Sequence, residues 1–379
     1  MKIAFLSHVD INLYLFRLPV MKALVAQGHT VYAICPEGEY SDAFEQEGLI
    51  FKPYTIERKS LNPLKAIGTI RNIYKLVKTL DLDILHNFTV KPNIYGSIAG
   101  DMAKVPVIIN SVTGMGSYFI LETRKAKLIK KIIENLYKMA NKKAHAILFQ
   151  NGDDLNYFKE KKLLSHSKPF LIKGSGIDTE LFDISKIDGT DTLKKELNLE
   201  GKQVVLMVAR AIWDKGIREY YTAAKRLSSP DTIFILIGDT DEGNPSCADR
   251  TFLESKEVLW LGHRKDIKEL TALADVYVLP SYREGLPRTL LEACSMGKAI
   301  VTTDAIGCKE VVDDGLNGFL VPVGDSQVLS EKINLLLHDK ALREKFSQHG
   351  RDKALNEFDV RIIVKQYLEL YNEMTNRHV

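Results

Sequence analysis

The chain has 379 residues, a formal net charge of +3 and four cysteines. This length exceeds what one ordinary hydrophobic core supports, so we expect two domains. The small net charge gives no reason to expect nucleic acid as a partner, and any basic surface has to be local. The cysteines lack the spacing of a zinc cage or a disulfide framework, which fits a reducing cytoplasm.

The hydrophobic segments are short. The N-terminal run MKIAFLSH meets polar residues too soon for a signal peptide. No stretch reaches 18 uninterrupted apolar residues, so we expect no membrane-spanning helix, although the chain can still lie on a membrane surface.

Apolar runs alternate with helical patterns in the first half of the chain. A helix that ends at Gly28 follows the first run, and a later helix has Pro63 near its start, where a missing N–H is tolerated. Strand, helix, strand in this order predicts a parallel sheet covered on both faces. The predicted strands are KIAFLSH, TVYAICP, LDILHNF, PVIINSV and AHAILFQ.

The same alternation restarts in the second half, after the Gly- and Ser-containing seam KPFLIKGSGIDTELF. The last segment, RIIVKQYLELYNEM, has the pattern of an amphipathic helix. We predict an α/β fold of two doubly wound Rossmann-like domains facing a cleft: residues 1–168 plus 358–379, to which the last helix returns, and residues 169–357. The predicted strands of the second half are QVVLMVAR, TIFILIGD, EVLWLGH, DVYVLPS, KAIVTTD and GFLVPVG.

Two cations follow the first strand of the second domain. The segment VARAIWDKGIREY contains Arg210 and Lys215, with Gly216 before a helix. Ligands of open parallel sheets bind beyond the carboxyl ends of the strands, and a helix N-terminus adds its amides to the positive charge. The motif predicts an anion site, although two solvated surface charges would give the same pattern.

Two glutamates surround the turn after the strand DVYVLPS. Glu284 stands beside Gly285, Pro287 suits the first turn of the following helix, and Glu292 lies one to two turns inside it. Each glutamate alone is typical of a surface. Their conjunction with the cation pair, each feature after its own strand, favours a shared ligand site.

At these residues the chain resembles the retaining glycosyltransferases of family 4, which have the GT-B fold. ARAIWDKG is similar to their Arg-x4-Lys-Gly diphosphate motif, and EGLPRTLLE is similar to their Glu-x7-Glu motif. The resemblance covers most of the chain and is strongest to bacterial enzymes that extend lipid-linked oligosaccharides in protein N-glycosylation.

The resemblance implies a reaction. A sugar, GalNAc in the members that it resembles most, would move with retention from a UDP-sugar to an undecaprenyl-diphosphate-linked acceptor, bound by the N-terminal domain. Another UDP-hexose or UDP-HexNAc transferase of capsule or O-antigen polysaccharide biosynthesis is the alternative. The identities of the donor and acceptor sugars stay open.

The resemblance also implies roles for residues. Arg210 and Lys215 would hold the donor diphosphate and stabilise the departing UDP. Glu292 would accept hydrogen bonds from the ribose, and Glu284 would touch the donor sugar near its 3-hydroxyl. The other implied substrate-binding positions are Gly285, Leu286, Pro287 and, next to the uracil with His263, Arg264.

We expect no metal or other cofactor, because Arg, Lys and helix amides can neutralise the charge that develops on UDP. Two Asp-x-Asp pairs, Asp81–Asp83 and Asp239–Asp241, resemble the metal motif of a different glycosyltransferase fold. The first precedes a strand and so lies at the wrong end of the sheet. The second follows a strand and remains a minor metal candidate.

The chain departs from the family in the loop NSVTGMGSYF, where many members carry a histidine and this chain has Thr113 and Gly114. His8 and His86 both follow strands of the first domain and could reach the cleft. A lone histidine is more often a satisfied polar residue, so the sequence leaves their function open.

One stretch is strongly basic and partly apolar. It suits an anionic membrane surface, which would place the enzyme on the cytoplasmic face of the cell membrane. The solvated face of an ordinary core helix is the competing interpretation. Its basic residues are Arg124, Lys125, Lys127, Lys130, Lys131, Lys138, Lys142 and Lys143.

Other functions of such a fold are less consistent with the sequence. A dinucleotide-dependent oxidoreductase would need Gly-x-Gly-x-x-Gly after the first strand, where this chain has SHVDINLYLFRL. A non-catalytic sugar-nucleotide binder would not need Glu284, Arg210 and Lys215 together. A sugar-nucleotide epimerase of the same fold would act without an acceptor.

Overall fold

The structure is a computed structural model that describes residues 1–57 and 60–376. It divides into two compact units. Unit 1 comprises Met1–Gly176 and the segment from Val360 onward, and unit 2 comprises Ile177–Asp359.

Unit 1 is built on seven parallel strands with helices between them. The strands are β1 (Lys2–Leu6), β2 (Thr30–Cys35), β3 (Ile50–Pro53), β4 (Ile84–Phe88), β5 (Val107–Val112), β6 (Ala146–Phe149) and β7 (Lys168–Leu171). The helices are α1 (Asp10–Ala26), α2 (Ser41–Gln46), α3 (Pro63–Leu80), α4 (Val90–Ala103), α5 (Arg124–Asn141) and α6 (Gly152–Glu160). The strand order is β3-β2-β1-β4-β5-β6-β7.

Unit 2 repeats this architecture with six parallel strands. The strands are β8 (Gln203–Val208), β9 (Thr232–Ile237), β10 (Leu259–Trp260), β11 (Val276–Leu279), β12 (Ala299–Thr303) and β13 (Gly318–Val321). The helices are α7 (Thr190–Glu196), α8 (Ile217–Arg226), α9 (Arg250–Leu253), α10 (Ile267–Leu273), α11 (Arg288–Ser295), α12 (Ser326–His338) and α13 (Lys340–Lys353). The strand order is β10-β9-β8-β11-β12-β13.

The central strands are buried because helices cover both faces of each sheet. Every residue of β4, β11 and β12 is buried. Continuous apolar runs are typical of parallel strands in such a position. Loops that leave the carboxyl ends of β8, β9, β11 and β12 therefore start from a rigid base.

The last helix, α14 (Val360–Asn376), belongs to unit 1. Its residues Ile363, Tyr367 and Tyr371 lie in the core that α1 and β4 also form. Arg17 Nη1 donates to the Tyr367 hydroxyl at 3.1 Å. The chain thus returns to its first unit at Val360, where residues 358–379 had been predicted to return; residues 377–379 lie outside the described residues.

Unit 1 extends to Gly176, eight residues beyond the predicted boundary at residue 168. The segment KPFL, interpreted as part of a seam, is β7 and pairs with β6 in the register Ala146↔Lys168. The edge strand β3 was also missed. Both are four-residue edge strands without a buried residue and with a lysine and a proline, so neither shows a continuous apolar run.

Candidate functional site

The turn between β8 and α8 contains both predicted phosphate-binding cations. Arg210 follows β8, and Lys215 ends a single 3-10 turn. Gly216 then has a φ of +75°. A Cβ at this position would lie 2.1 Å from the carbonyl oxygen of Pro280. Because only glycine tolerates that contact and favours that φ, Gly216 allows the Lys215 turn to pack against the segment after β11.

Lys215 and Glu284 form a largely enclosed ion pair. Their side chains are 16% and 12% exposed, respectively. Ser281 Oγ lies 2.7 Å from Glu284 Oε1 and 3.1 Å from the carbonyl oxygen of Asp214. Separating the pair would leave two poorly solvated charges, so its geometry is well defined. The fold thus brings together two residues that follow different strands.

Backbone contacts fix the turn that carries Glu284. Its N–H donates to the carbonyl of Ile306 at 2.8 Å. Gly307 has a φ of +84°, and a Cβ on it would come within 2.8 Å of the Glu284 carbonyl oxygen. Thr303 Oγ1 donates to the carbonyl of Ser281. The end of β12 and the loop after it therefore hold the loop after β11 in position.

Gly285, Leu286 and Pro287 connect Glu284 to α11. Pro287 is the N-cap residue of that helix, one position before the predicted first turn. Gly285 and Pro287 are buried, and Leu286 packs against the core of unit 2. These contacts anchor the turn, while the contacts of the three residues with a substrate stay a prediction.

Glu292 lies in the second turn of α11 and accepts a hydrogen bond from Arg288 Nε at 2.9 Å. Burial raises the pKa of the Glu292 carboxyl, and the charge and hydrogen bond of Arg288 oppose part of that shift. The two glutamates of the motif therefore have different partners. Glu284 pairs across two loops, and Glu292 pairs within its own helix.

Arg210 pairs with Asp241, which lies in the loop after β9. Arg210 Nη1 lies 2.7 Å from Asp241 Oδ2. The arginine side chain is 58% exposed and the aspartate side chain 20% exposed. This pair is much closer to solvent than the Lys215–Glu284 pair.

A chain of hydrogen bonds runs from Asp241 to the lysine turn. Asn244 Nδ2 donates to Asp241 Oδ2 at 3.0 Å, and Asn244 Oδ1 accepts from the Ser246 N–H at 2.9 Å. Ser246 Oγ donates to Asp214 Oδ1 at 2.6 Å. Asp214 precedes Lys215 and is buried, and among residues 1–57 and 60–376 its Oδ2 has no hydrogen-bond partner. The loop after β9 therefore supports both cation–carboxylate pairs.

Arg264, the predicted neighbour of the uracil, is already paired with a carboxylate of the protein. Its Nε donates to Asp266 Oδ1 at 2.8 Å, and its Nη2 donates to the other oxygen of the same carboxylate. Hydrogen bonding to Asp266 raises the pKa of Arg264, and the same contact lowers the pKa of Asp266. His263 beside it is exposed. A contact between the Arg264 guanidinium and uracil would compete with this bidentate ion pair.

The two candidate histidines, His8 and His86, differ in their surroundings. His86 is fully buried, with Nδ1 2.7 Å from the Tyr371 hydroxyl and Nε2 2.7 Å from Ser111 Oγ. Burial lowers the pKa of His86 well below its ordinary value, so the ring is neutral and belongs to the core. His8 is partly exposed, and its Nδ1 lies 2.7 Å from Thr89 Oγ1.

The Asp-x-Asp pairs do not assemble larger acidic clusters. Asp81 and Asp83 precede β4, as the sequence predicted, and Asp83 Oδ2 accepts the Lys2 N–H at 2.6 Å. The Asp241 carboxylate is paired with the Arg210 guanidinium. Within the described part of the chain, no group of three or more His, Cys, Asp or Glu side chains is placed to hold a metal ion.

Most of the basic stretch forms α5, which ends at Asn141 and has one buried and one exposed side. Ala126, Ile129 and Tyr137 are buried in unit 1. Leu128 and Ile132 are 62% and 49% exposed, respectively. The helix thus packs one side on the core of unit 1, and a contact of its exposed basic side with a membrane stays a prediction. In the ranges that the structure describes, no helix is long and apolar enough to cross a membrane.

The sequence analysis missed Ser281, Asn244, Ser246 and Asp214, which hold the two ion pairs in place. Ser281 lies two residues after β11, and the other three lie in loops after β8 and β9. Their position after strands was the available signal. Single polar residues in loops are too common for that signal to identify them.

Each of the two units matches a different family of known proteins. Residues 189–353 match the family described as "Glycosyl transferases group 1", and residues 2–151 match "Glycosyl transferase 4-like". The structure of Anabaena HepE in complex with UDP and glucose superposes with a TM-score of 0.82, with 22% identity, covering 98% of this chain and 99% of that one. The prediction of a GT-B fold is confirmed.

Two curated relatives span nearly the whole chain. The N,N'-diacetylbacillosaminyl-diphospho-undecaprenol alpha-1,3-N-acetylgalactosaminyltransferase of Campylobacter jejuni is 38% identical over 376 residues, which cover 99% of each protein. The UDP-Gal:alpha-D-GlcNAc-diphosphoundecaprenol alpha-1,3-galactosyltransferase of Escherichia coli is 28% identical and covers 90% of this chain and 88% of that enzyme. The chain therefore belongs to this family of glycosyltransferases and is itself a glycosyltransferase.

Proposed function

We propose that the chain is a retaining glycosyltransferase that moves GalNAc from UDP-GalNAc to a sugar linked to undecaprenyl diphosphate. The observation that carries the proposal is the enclosed Lys215–Glu284 pair at the carboxyl end of the unit 2 sheet, with Arg210 on the same turn as the lysine. The similarity to the Campylobacter jejuni GalNAc transferase supports this donor and this kind of acceptor.

The arrangement suits the departure of UDP. As the sugar–phosphate bond breaks, negative charge grows on the diphosphate and positive character grows at the sugar. Lys215 and Arg210 supply positive charge for the first, and the Glu284 carboxylate supplies negative charge for the second. Because the pair is preorganised and poorly hydrated, little reorganisation is needed as the charges develop.

Glu292 is proposed to accept hydrogen bonds from the ribose hydroxyls of UDP. Arg264 and His263 border the uracil, and Gly285, Leu286 and Pro287 shape the sugar pocket. Unit 1 takes the acceptor. These roles extend the resemblance residue by residue, and the anchored geometry of α11 and the preceding turn supports them.

The second candidate is a galactosyltransferase, because the Escherichia coli relative is named for UDP-Gal and a GlcNAc-linked acceptor. Its 28% identity is lower than the 38% identity of the GalNAc transferase. The two donors differ only in the substituent on carbon 2 of the sugar.

A panel of donors separates the two activities. The purified enzyme is given UDP-GalNAc, UDP-Gal, UDP-GlcNAc or UDP-Glc, each with undecaprenyl-diphosphate-linked diacetylbacillosamine or GlcNAc, and UDP release and the lipid product are measured. We expect the fastest transfer from UDP-GalNAc to bacillosamine. We also expect the rate to survive EDTA, since Arg210 and Lys215 neutralise the phosphates. Preference for UDP-Gal, or a rate restored only by added Mn²⁺ or Mg²⁺, would contradict this proposal.

Glu284→Gln removes a charge and keeps the shape of the side chain. We expect turnover to fall by about tenfold to a hundredfold, because the lost interaction is charge-assisted and is strongest in the transition state. UDP affinity should hold or rise, since Lys215 loses its internal partner. Turnover with the lipid acceptor and UDP affinity by calorimetry are the measurements.

Glu257→Gln is the matched control, an exposed glutamate of the same unit. It should leave both quantities unchanged. NMR of the wild-type product should show an α linkage. Full turnover of Glu284→Gln, or a β-linked product, would overturn the role given to Glu284.

Glu292→Gln should keep or raise the stability of the protein at neutral pH and weaken its affinity for UDP. Burial raises the pKa of Glu292 above its unfolded value, so the stability it contributes is present at low pH and is lost as pH rises through the folded pKa. Glutamine cannot ionise. The variant should therefore be as stable as the wild type or more stable at pH 7 to 8, with that advantage vanishing toward about pH 4 to 5. UDP affinity should fall by about tenfold.

Denaturant unfolding at several pH values and UDP calorimetry check this prediction. A variant that is less stable at pH 8 and binds UDP as tightly as the wild type would show that Glu292 only holds α11 together with Arg288.

We also propose that α5 docks on the anionic cytoplasmic surface of the membrane that holds the acceptor. Leu128 and Ile132 project between exposed basic side chains, which is the pattern of an interfacial helix. Replacing Arg124, Lys125, Lys127 and Lys131 by glutamine should weaken binding to anionic vesicles at least tenfold, at about 1 kcal/mol for each charge near the surface.

The matched control replaces four exposed lysines of unit 2 by glutamine and should bind vesicles nearly as the wild type does. Co-sedimentation with phosphatidylglycerol vesicles at two salt concentrations is the measurement. Equal losses in both variants would mean that net charge, rather than α5, determines binding. The control lysines are Lys186, Lys194, Lys195 and Lys202.

A further inference from the structure

Each of the two cations assigned to the donor diphosphate already has a carboxylate partner within the protein. Lys215 pairs with Glu284, and Arg210 pairs with Asp241. A diphosphate that binds between the cations must share them with these carboxylates or displace them. The two pairs differ in how easily that can happen.

The Lys215–Glu284 pair is held in place. Both side chains are largely enclosed, and the Ser281 hydroxyl adds a contact to the glutamate. Moving either charge away would leave the other buried without a partner, which is strongly unfavourable. A phosphate can join this pair, but it does not separate it easily.

The Arg210–Asp241 pair can open at small cost. More than half of the arginine side chain is exposed, and exposed ion pairs contribute little to stability. An arginine also binds a phosphate through two parallel hydrogen bonds, which makes the donor a strong rival for the guanidinium.

We propose that Asp241 competes with the donor diphosphate for Arg210. Asp241 retains the guanidinium when UDP leaves, and the guanidinium turns to the phosphate when the donor binds. Asp241 itself stays in position because Asn244 binds it, and Asn244 is tied through Ser246 to Asp214 beside Lys215. This inference rests on the proposed function of Arg210.

Asp241 therefore weakens the binding of UDP and favours its release after transfer. Removing only its charge should tighten UDP binding. Asp241→Asn keeps the size of the side chain, and the Asn244 amide can still donate to the new carbonyl oxygen. We expect UDP to bind about twofold to fivefold more tightly, which is the range of an exposed ion pair. KM for the UDP-sugar should fall in the same proportion.

Asp239→Asn is the matched control. Asp239 carries the same charge, is exposed and lies two residues away in the same loop. If long-range charge alone matters, both variants should bind UDP more tightly by the same factor. If the competition for Arg210 matters, Asp239→Asn should change UDP affinity less than twofold.

A double-mutant cycle with Arg210→Ala completes the experiment, with UDP affinity measured by calorimetry at fixed salt. Arg210→Ala should weaken binding, and adding Asp241→Asn to it should give no gain. If Arg210→Ala weakens binding and Asp241→Asn alone weakens it or leaves it unchanged, the competition is refuted while the role of Arg210 stands. If Arg210→Ala leaves UDP affinity unchanged, both this inference and the proposed role of Arg210 are refuted.

Discussion

The enclosed ion pair between Lys215 and Glu284 is the interaction on which the site depends. It joins the loop after β8 to the loop after β11. Because both side chains are largely buried, the pair has a well-defined geometry. Two glycines allow this approach. Gly216 lets the lysine turn meet Pro280, and Gly307 lets the loop after β12 lie directly under Glu284. A side chain at either position would push the pair apart.

In the proposed function, this pair serves both ends of a sugar nucleotide. The positive charge of Lys215 would face the part of the donor that becomes more negative, and the carboxylate of Glu284 would face the part that becomes more positive. The second pair, Arg210 with Asp241, is more exposed and hence easier to rearrange. In the proposed function, the enclosed pair would stabilise the transition state, and the exposed pair would rearrange as UDP binds and leaves.

Much of the fold follows from the sequence because parallel strands covered on both faces must be continuously apolar. The strands β8 and β11 are of this kind. The edge strands β3 and β7 escaped prediction because each has only four residues, among them a lysine and a proline, and none is buried. At the site, the motifs located Arg210 and Glu284. The pairing of Arg210 with Asp241 could not be predicted, since these residues lie 31 positions apart and meet only in the folded chain.

The central claim is that Lys215 and Glu284 act as one unit in catalysis. A double-mutant cycle on turnover tests it most directly, with Lys215→Met and Glu284→Gln made singly and together in folded enzyme. Residues that act as a unit are strongly non-additive, so the double variant should turn over about as slowly as the slower single variant. Losses that multiply in the double variant would contradict it.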